Sequence, residues 1–433
     1  MALHVMEEAN RCLGCKKPRC QEGCPIHTNI PEVIRLLKAN KLNEAGWMLF
    51  ENNPLTTVCS LVCNHEKQCE GHCIQGIKST PVHFSIIENY ISTTYANQMT
   101  KGPAPSNGRK AAVVGAGPSG LTIAIILARY GYQVTIFDTR DKIGGVMRYG
   151  IPDFRLPDSV LDDIAYRHLE LKGIQFRPNT RIGGAITIDD LFRDGYQSVF
   201  VGAGLWQPRS LKIKGESLGN VTFAINYLAS PGAFRLGDNI VVIGSGNSAM
   251  DCARTAIRQG ARFVTVVNRS DKISASQYEA SYAKLEGVEF LMMKSPVEIR
   301  EDGVILADSE LGEDGKAHPV AGTEKLFPCT GVIVAASQTF ETNTVSTAKG
   351  IETERGLLAV DEDGHTSRPG VFAAGDAASG ARNVVVAVAA AKRVAEAMHE
   401  YMQSLPMPET TDYPDVPVID RIPSSVLTEQ VIG

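Results

Sequence analysis

One pattern occurs twice in this chain and limits its fold more than any other feature. AAVVGAGPSGLTIAIILARYGYQVTIFD spans residues 111–138, and NIVVIGSGNSAMDCARTAIRQGARFVTVVNR spans 239–269. Each copy is an apolar run, a glycine-rich turn, a helical stretch and a second apolar run. A strand entering a G-x-G-x-x-G/A turn and leaving as a helix is the fingerprint of a dinucleotide-binding unit. Short Val/Ile runs alternate with amphipathic helical patterns from residue 111 to about 402, which predicts α/β layers built on parallel strands. The expected fold class is α/β, with two Rossmann-like dinucleotide-binding domains.

The turn chemistry separates the two copies. In the first, Gly115 permits the tight bend, Gly117 lets the backbone approach a pyrophosphate, and Gly120 lets helix and strand pack closely. With Ser119, the N–H groups at the helix start face the phosphates, where the helix dipole favours negative charge. Asp138 ends the second strand, where a carboxylate bonds the ribose hydroxyls and repels a 2′-phosphate, so this site suits FAD or NAD. In the second copy Gly244, Gly246 and Ala249 take the three glycine places, accompanied by Ser245, Asn247 and Ser248. Its second strand ends in Asn268 and Arg269, so a carboxylate is missing and a cation has appeared. That favours the 2′-phosphate of NADPH. Asp271 tempers the preference and leaves NADH open.

Eight of the ten cysteines fall within the first 73 residues. Cys12, Cys15, Cys20 and Cys24 form C-x2-C-x4-C-x3-C-P, and VCSLVCNHEKQCEGHC supplies Cys59, Cys63, Cys69 and Cys73. A chain of 433 residues can bury its cores without disulfide help. The first twenty residues mix charges without an apolar core, and the longest apolar run, 111–127, is broken by glycines and Pro118. Neither a secretory signal nor a membrane span is expected, and the expected compartment is the cytoplasm. There a dense thiol cluster binds metal more readily than it forms disulfides. A cysteine run ending in Pro is found in bacterial ferredoxins. Zinc ribbons would use two C-x2-C knuckles, and the second quartet has none. Iron–sulfur is therefore the favoured reading, with zinc and disulfides as the alternatives. A net charge of −5 shows no basic excess, which argues against nucleic acid as the main partner.

GPSGL, DKIGGVMRYGIPDFRLP, GSGNSAMDCARTAIRQGA and GVFAAGDAASG, in that order, resemble the flavoprotein subunit of bacterial glutamate synthase. They equally resemble the electron-input half of dihydropyrimidine dehydrogenase. The resemblance runs from about residue 8 to 402 and implies an NAD(P)H domain inserted into an FAD domain. On that basis residues 1–105 form an α-helical domain with two 4Fe–4S clusters. Residues 106–235 and 336–405 form the FAD domain, 236–335 the NAD(P)H domain, and 406–433 a proline-rich tail. Gly145, Met147 and Arg148 would lie along the flavin, with Gly375 and Asp376 closing its site. The resemblance also implies crossed cluster ligands: Cys12, Cys15, Cys20 and Cys73 for one cluster, and Cys24, Cys63, Cys69 and Glu88 for the other. Cys59 matches a cysteine that is not a ligand. The chain departs from the family at Ala336 and Ser337, where a glycine is usual, and at Ser60 and Asn64.

These parts imply an NAD(P)H-dependent oxidoreductase that takes hydride onto FAD and passes single electrons through the clusters. No acid–base residue is needed for that step, and none is assigned. No acceptor site is evident in the sequence, so a partner subunit or acceptor protein is expected to dock near the cysteine-rich domain. Glutamate synthesis, pyrimidine reduction and a ferredoxin-linked NADH/NADP transhydrogenase are all compatible outlets. A self-contained disulfide reductase would need a cysteine pair at the flavin, which Cys252 and Cys329 do not offer by spacing. A non-catalytic redox sensor is the rival from another class.

Overall fold

Apolar side chains at 30, 33, 34 and 37 recur at helical spacing, and in the computed structural model Ile30–Lys38 is a helix that buries Ile30, Val33, Ile34 and Leu37. The structure describes residues 2–96, 104–169, 173–313 and 315–408. Residues 97–103 at the end of the expected cysteine-rich domain and the expected tail from 409 onward lie outside them. The helices Ala2–Asn10, Ile30–Lys38, Leu42–Asn52 and Phe84–Ala96 share a core of Val5, Ile34, Leu49, Ile87 and Ile91. The helix Thr56–Val62 is different. Leu55, Val58 and Cys59, together with Cys24 and Ile26, pack into the core of the following α/β layer.

Each sequence repeat becomes the centre of a five-stranded parallel sheet. In the first sheet the strands lie in the order Val371–Ala373, Ser198–Val201, Lys110–Val114, Gln133–Phe137, Gln175–Arg177. In the second the order is Val221–Phe223, Gly331–Val334, Asn239–Ile243, Phe263–Asn268, Glu289–Met292. The glycine-turn strands bury nearly every residue, as strands covered on both faces must. The second sheet reaches back past residue 236, because Val221–Phe223 pairs in register with Val332–Val334. An antiparallel unit, Lys294–Arg300, Gly303–Leu311, Ala317–Pro319 and Lys325–Pro328, precedes its closing strand. The first sheet is completed only afterwards, by Val371–Ala373. The long helix Val384–Ser404 then packs beside Pro118–Arg129, burying Val388, Ala391 and Ala395. Among the described residues no helix is long and apolar enough to cross a membrane.

Candidate redox site

The first glycine turn is shaped by close backbone approaches. Gly115 adopts φ +103°, and a Cβ there would stand 2.4 Å from the Gly202 carbonyl oxygen. A Cβ on Gly120 would lie 1.9 Å from the Gly115 oxygen, so helix and strand meet without room for a side chain. Gly117 is the opposite case: a Cβ would touch only Gly145, at 4.0 Å, and the turn faces open space. That space is a cavity lined by Gly115, Gly117, Ser119, Asp138, Gly145 and Asp376. Asp138 fixes the turn, accepting the Ala116 N–H at 2.6 Å and the Arg140 N–H at 2.8 Å. Burial nonetheless raises its carboxyl above the ordinary value. Gly375 approaches Ser119 closely, and Asp376 accepts the Arg382 N–H at 3.0 Å while burial pushes its carboxyl up to about 6.

Two of the residues expected along the flavin stand behind the cavity. Met147 is buried in the apolar core. Arg148 donates to the Ile143 carbonyl at 2.8 Å and to Asp162 at 2.6 Å, which locks the turn from outside. Gly145 and Val146 are the lining residues of that segment. At Ser337, in the segment where the resemblance implies a glycine, the backbone adopts a left-handed φ of 82°. A non-glycine residue holds that conformation at a cost of about 1–2 kcal/mol.

The second turn faces the same cavity. Asn247, Ser248 and Asp251 line it opposite the first turn. Gly244 has φ +123°, and its Cβ would meet the Ala335 oxygen at 2.4 Å, whereas Gly246 has nothing within 4 Å. Ser245 and Ala249 are buried beneath the turn. At the strand end Asn268 spends its amide donors on the Ser270 carbonyl at 3.1 Å and the Lys272 carbonyl at 2.8 Å, while Arg269 stays exposed. Sequence reasoning assigned no role to Arg155, although it lies inside the quoted GIPDFRLP segment. It spans the two halves: its guanidinium meets both oxygens of Asp251 at 2.9 and 2.8 Å and Glu279 at 2.8 Å.

The cysteines divide into two groups. Around Cys20 stand Cys73, Cys12 and Cys15, and burial, with Cys73 next, pushes its thiol up to about 11. The second group brings Cys63 together with Cys59, Glu88 and Cys69, and Cys69 with Glu88 and Cys24. Hydrogen bonding to Cys59 is the largest influence holding the Cys63 thiol protonated, and burial is the largest for Cys69. Among the described residues no three such donors converge on one point as ligands of a single ion do. Several buried or partly buried thiols lining one cavity, as Cys12, Cys15, Cys20, Cys69 and Cys73 do, suit a polynuclear cluster. Open phosphate cradles at Gly117 and Gly246 likewise fit dinucleotides.

The Glu88 carboxyl accepts the Thr56 hydroxyl at 2.7 Å, yet burial lifts it from 4.5 to about 7. A fold that favours the neutral acid gains a contribution fully present below pH 4.5 and lost as pH rises through 7. Metal-free protein is therefore expected to lose about 3 kcal/mol of stability across that window. Urea unfolding of wild type and Glu88→Gln at pH 5 and pH 8 checks it. An equal loss in both would remove Glu88 as the cause.

The two groups occupy different depths. Val62, next to Cys63, lines the dinucleotide cavity, and Cys24 and Cys59 belong to the α/β core. The first group opens outward: Cys12, Cys15, Cys20 and Cys73 line a smaller cavity with Leu13 and Ile74, and Cys69 reaches it from the second group.

Residues 2–100 match the model of dihydropyrimidine dehydrogenase domain II with a 4Fe–4S cluster. Residues 113–162 match an NAD(P)-binding Rossmann-like domain, and 186–391 a pyridine nucleotide-disulphide oxidoreductase. The chain is 33% identical to the glutamate synthase [NADPH] small chain of Escherichia coli, over 92% of this chain and 91% of that one. It is 30% identical to the NAD-dependent dihydropyrimidine dehydrogenase subunit PreT of the same organism, over 93% and 95%. Among solved structures, FprA from Mycobacterium tuberculosis superposes with a TM-score of 0.60 at 17% identity, over 69% of this chain and 85% of that one, a likeness of fold.

Proposed function

Because this chain belongs to the family of iron–sulfur flavoprotein oxidoreductases that includes glutamate synthase small chains and PreT, we propose that it is the electron-input component for a separate acceptor subunit. It is an NAD(P)H-dependent oxidoreductase with FAD and 4Fe–4S clusters. When bound, FAD supplies uptake of an electron pair as hydride and its release one electron at a time, and the clusters supply single-electron carriage.

In this reading the first turn, with Asp138, Gly375 and Asp376, holds FAD, and the second turn holds the nicotinamide nucleotide across the shared cavity. Cys24, Cys63, Cys69 and Glu88 hold the cluster nearer the flavin. Cys12, Cys15, Cys20 and Cys73 hold the outer one. One observation carries the order: Val62 lines the dinucleotide cavity while Leu13 and Ile74 line the outer cysteine cavity. The residues' part in the hydride step is to bring the donor carbon within roughly 3–3.5 Å of its acceptor and to exclude water. Anaerobic addition of NADPH tests the whole reading. The flavin band should bleach, two cluster EPR signals should appear, and an artificial dye should turn over rapidly. Protein without labile sulfide overturns it, and flavin that bleaches without dye turnover favours the sensor.

NADPH is the proposed donor, because the strand end has lost its carboxylate and exposes Arg269. Arg269→Asp is expected to lower kcat/KM for NADPH by roughly ten- to a hundredfold, the worth of about 1.5–3 kcal/mol for a charge-assisted bond, and to spare NADH. Steady-state kinetics with both nucleotides decides this. An unchanged ratio would assign Arg269 to the solvated surface.

The acceptor subunit is proposed to dock over the outer cysteines. Leu13 is 62% exposed and Ile77 68% exposed, with Lys16, Lys17 and Lys78 around them. An apolar centre with a basic rim matches an acidic-rimmed partner. Leu13→Asp/Ile77→Asp should weaken electron delivery to the partner at least about tenfold, a loss of roughly 1.4 kcal/mol or more, and leave dye reduction intact. Equal loss in both assays would move the docking site elsewhere.

A further inference from the structure

A line of polar contacts joins the first α/β layer to the second cysteine group, and neither the dinucleotide turns nor the ligand set accounts for it. Lys392 lies on the helix Val384–Ser404, in the layer of the first sheet. Its Nζ donates to Asn52 Oδ1 at 2.6 Å. Asn52 closes the helix Leu42–Asn52 in the cysteine-rich domain, and its Nδ2 donates to Thr28 Oγ1 at 3.1 Å. Thr28 Oγ1 in turn lies 3.4 Å from Cys24 Sγ, with both residues buried. The donors point one way. The ammonium gives to the amide carbonyl and the amide N–H gives to the hydroxyl, so the hydroxyl proton is left for the sulfur whenever Cys24 is a thiolate.

We propose that Lys392, Asn52 and Thr28 form a polarised donor relay onto Cys24 that raises the reduction potential of the cluster held by the second cysteine group. Hydrogen bonds to ligand sulfurs and nearby charge are among the levers that set such potentials. A chain of donors ending on an ion polarises each link, and low dielectric strengthens the effect. The Lys392 environment agrees. Burial is the main influence weakening its hold on its proton, and Cys24 is the foremost group opposing that loss. Lys392 would then act as a positioning residue, working through Asn52 and Thr28 on the Cys24 sulfur.

The inference rests on Cys24 being a ligand of the second cluster. Cys24→Ser checks that separately, because it should erase the second EPR signal and leave the first. Anaerobic redox titration followed by EPR tests the relay in the full-length, cluster-loaded protein. Lys392→Met and Thr28→Val should each lower the ratio of reduced to oxidised second cluster about tenfold at a fixed potential, 59 mV for one electron. The first cluster should not move. Lys392→Arg should restore the wild-type midpoint, and Lys392→Met/Thr28→Val should shift no further than the larger single change. Flavin content and circular dichroism confirm the fold, and Lys392→Gln replaces Lys392→Met if that chain does not load. A second-cluster midpoint unmoved by loss of Lys392, or both midpoints moving together, overturns the relay.

Discussion

A Cys20→Ser chain purified without air is expected to keep its FAD and its rate of flavin reduction by NAD(P)H, yet to pass no electrons above background to its partner protein. Cys20 is flanked by Cys73, Cys12 and Cys15 in the outer group, beside the exposed Leu13. Exchanging its thiol for a hydroxyl would remove one of the four ligands proposed for the outer cluster. The core of the first α/β layer, with Val113, Leu121, Ile136 and Phe200, takes in Cys24 and Cys59 but none of Cys12, Cys15, Cys20 and Cys73, so the damage should stay local. Stopped-flow absorbance measures the hydride step, EPR the missing outer signal, and a partner assay the last transfer. Delivery to the partner at the wild-type rate would show that electrons leave by another route.

Arg155→Met should have the second large effect, on how the two α/β halves face each other. Arg155 comes from the segment after the first turn, whereas Asp251 and Glu279 belong to the second half. The Asp251 side chain is 4% exposed, and burial pushes its carboxyl up to about 6 even beside Arg155. It is therefore mostly ionised at neutral pH and depends on its partner. Removing one member of a buried pair costs about 3–5 kcal/mol, because the other charge is left uncompensated. Arg254, bound to Glu279 at 2.9 Å, holds part of the network but does not replace the Arg155 Nη1 contact with both Asp251 oxygens. A displacement of roughly 1 Å between donor and acceptor slows transfer about a hundredfold. Rapid-reaction measurement of flavin reduction, together with urea unfolding, checks both parts. A variant with unaltered hydride transfer would make the clamp structural only.

The glycine turns were readable from the sequence because their chemistry is local. Gly115 opens the turn and Gly120 lies in the first turn of the helix that follows it, and their lack of side chains answers constraints met within a few residues and one neighbouring strand. Ser337 shows the limit of that reading. Its backbone is left-handed although the residue is a serine, so the conformation is not marked by a glycine in the sequence. Met147 and Arg148 show another limit, since a motif gives the order of residues but not the direction in which each side chain points.

The sequence by itself determined two parallel-sheet units with phosphate-facing turns and an amino-terminal segment rich in thiols, because spacing, glycine and thiol chemistry act over short range. The family resemblance implied which thiols share a group; only the tertiary structure decided that Val62 brings one group to the dinucleotide cavity and that Arg155 and Lys392 bridge separate layers. Those pairings join residues far apart in the chain. They exist because burial of several apolar cores brings the elements together, and a buried ion or donor must then find its partner wherever the packing has placed one.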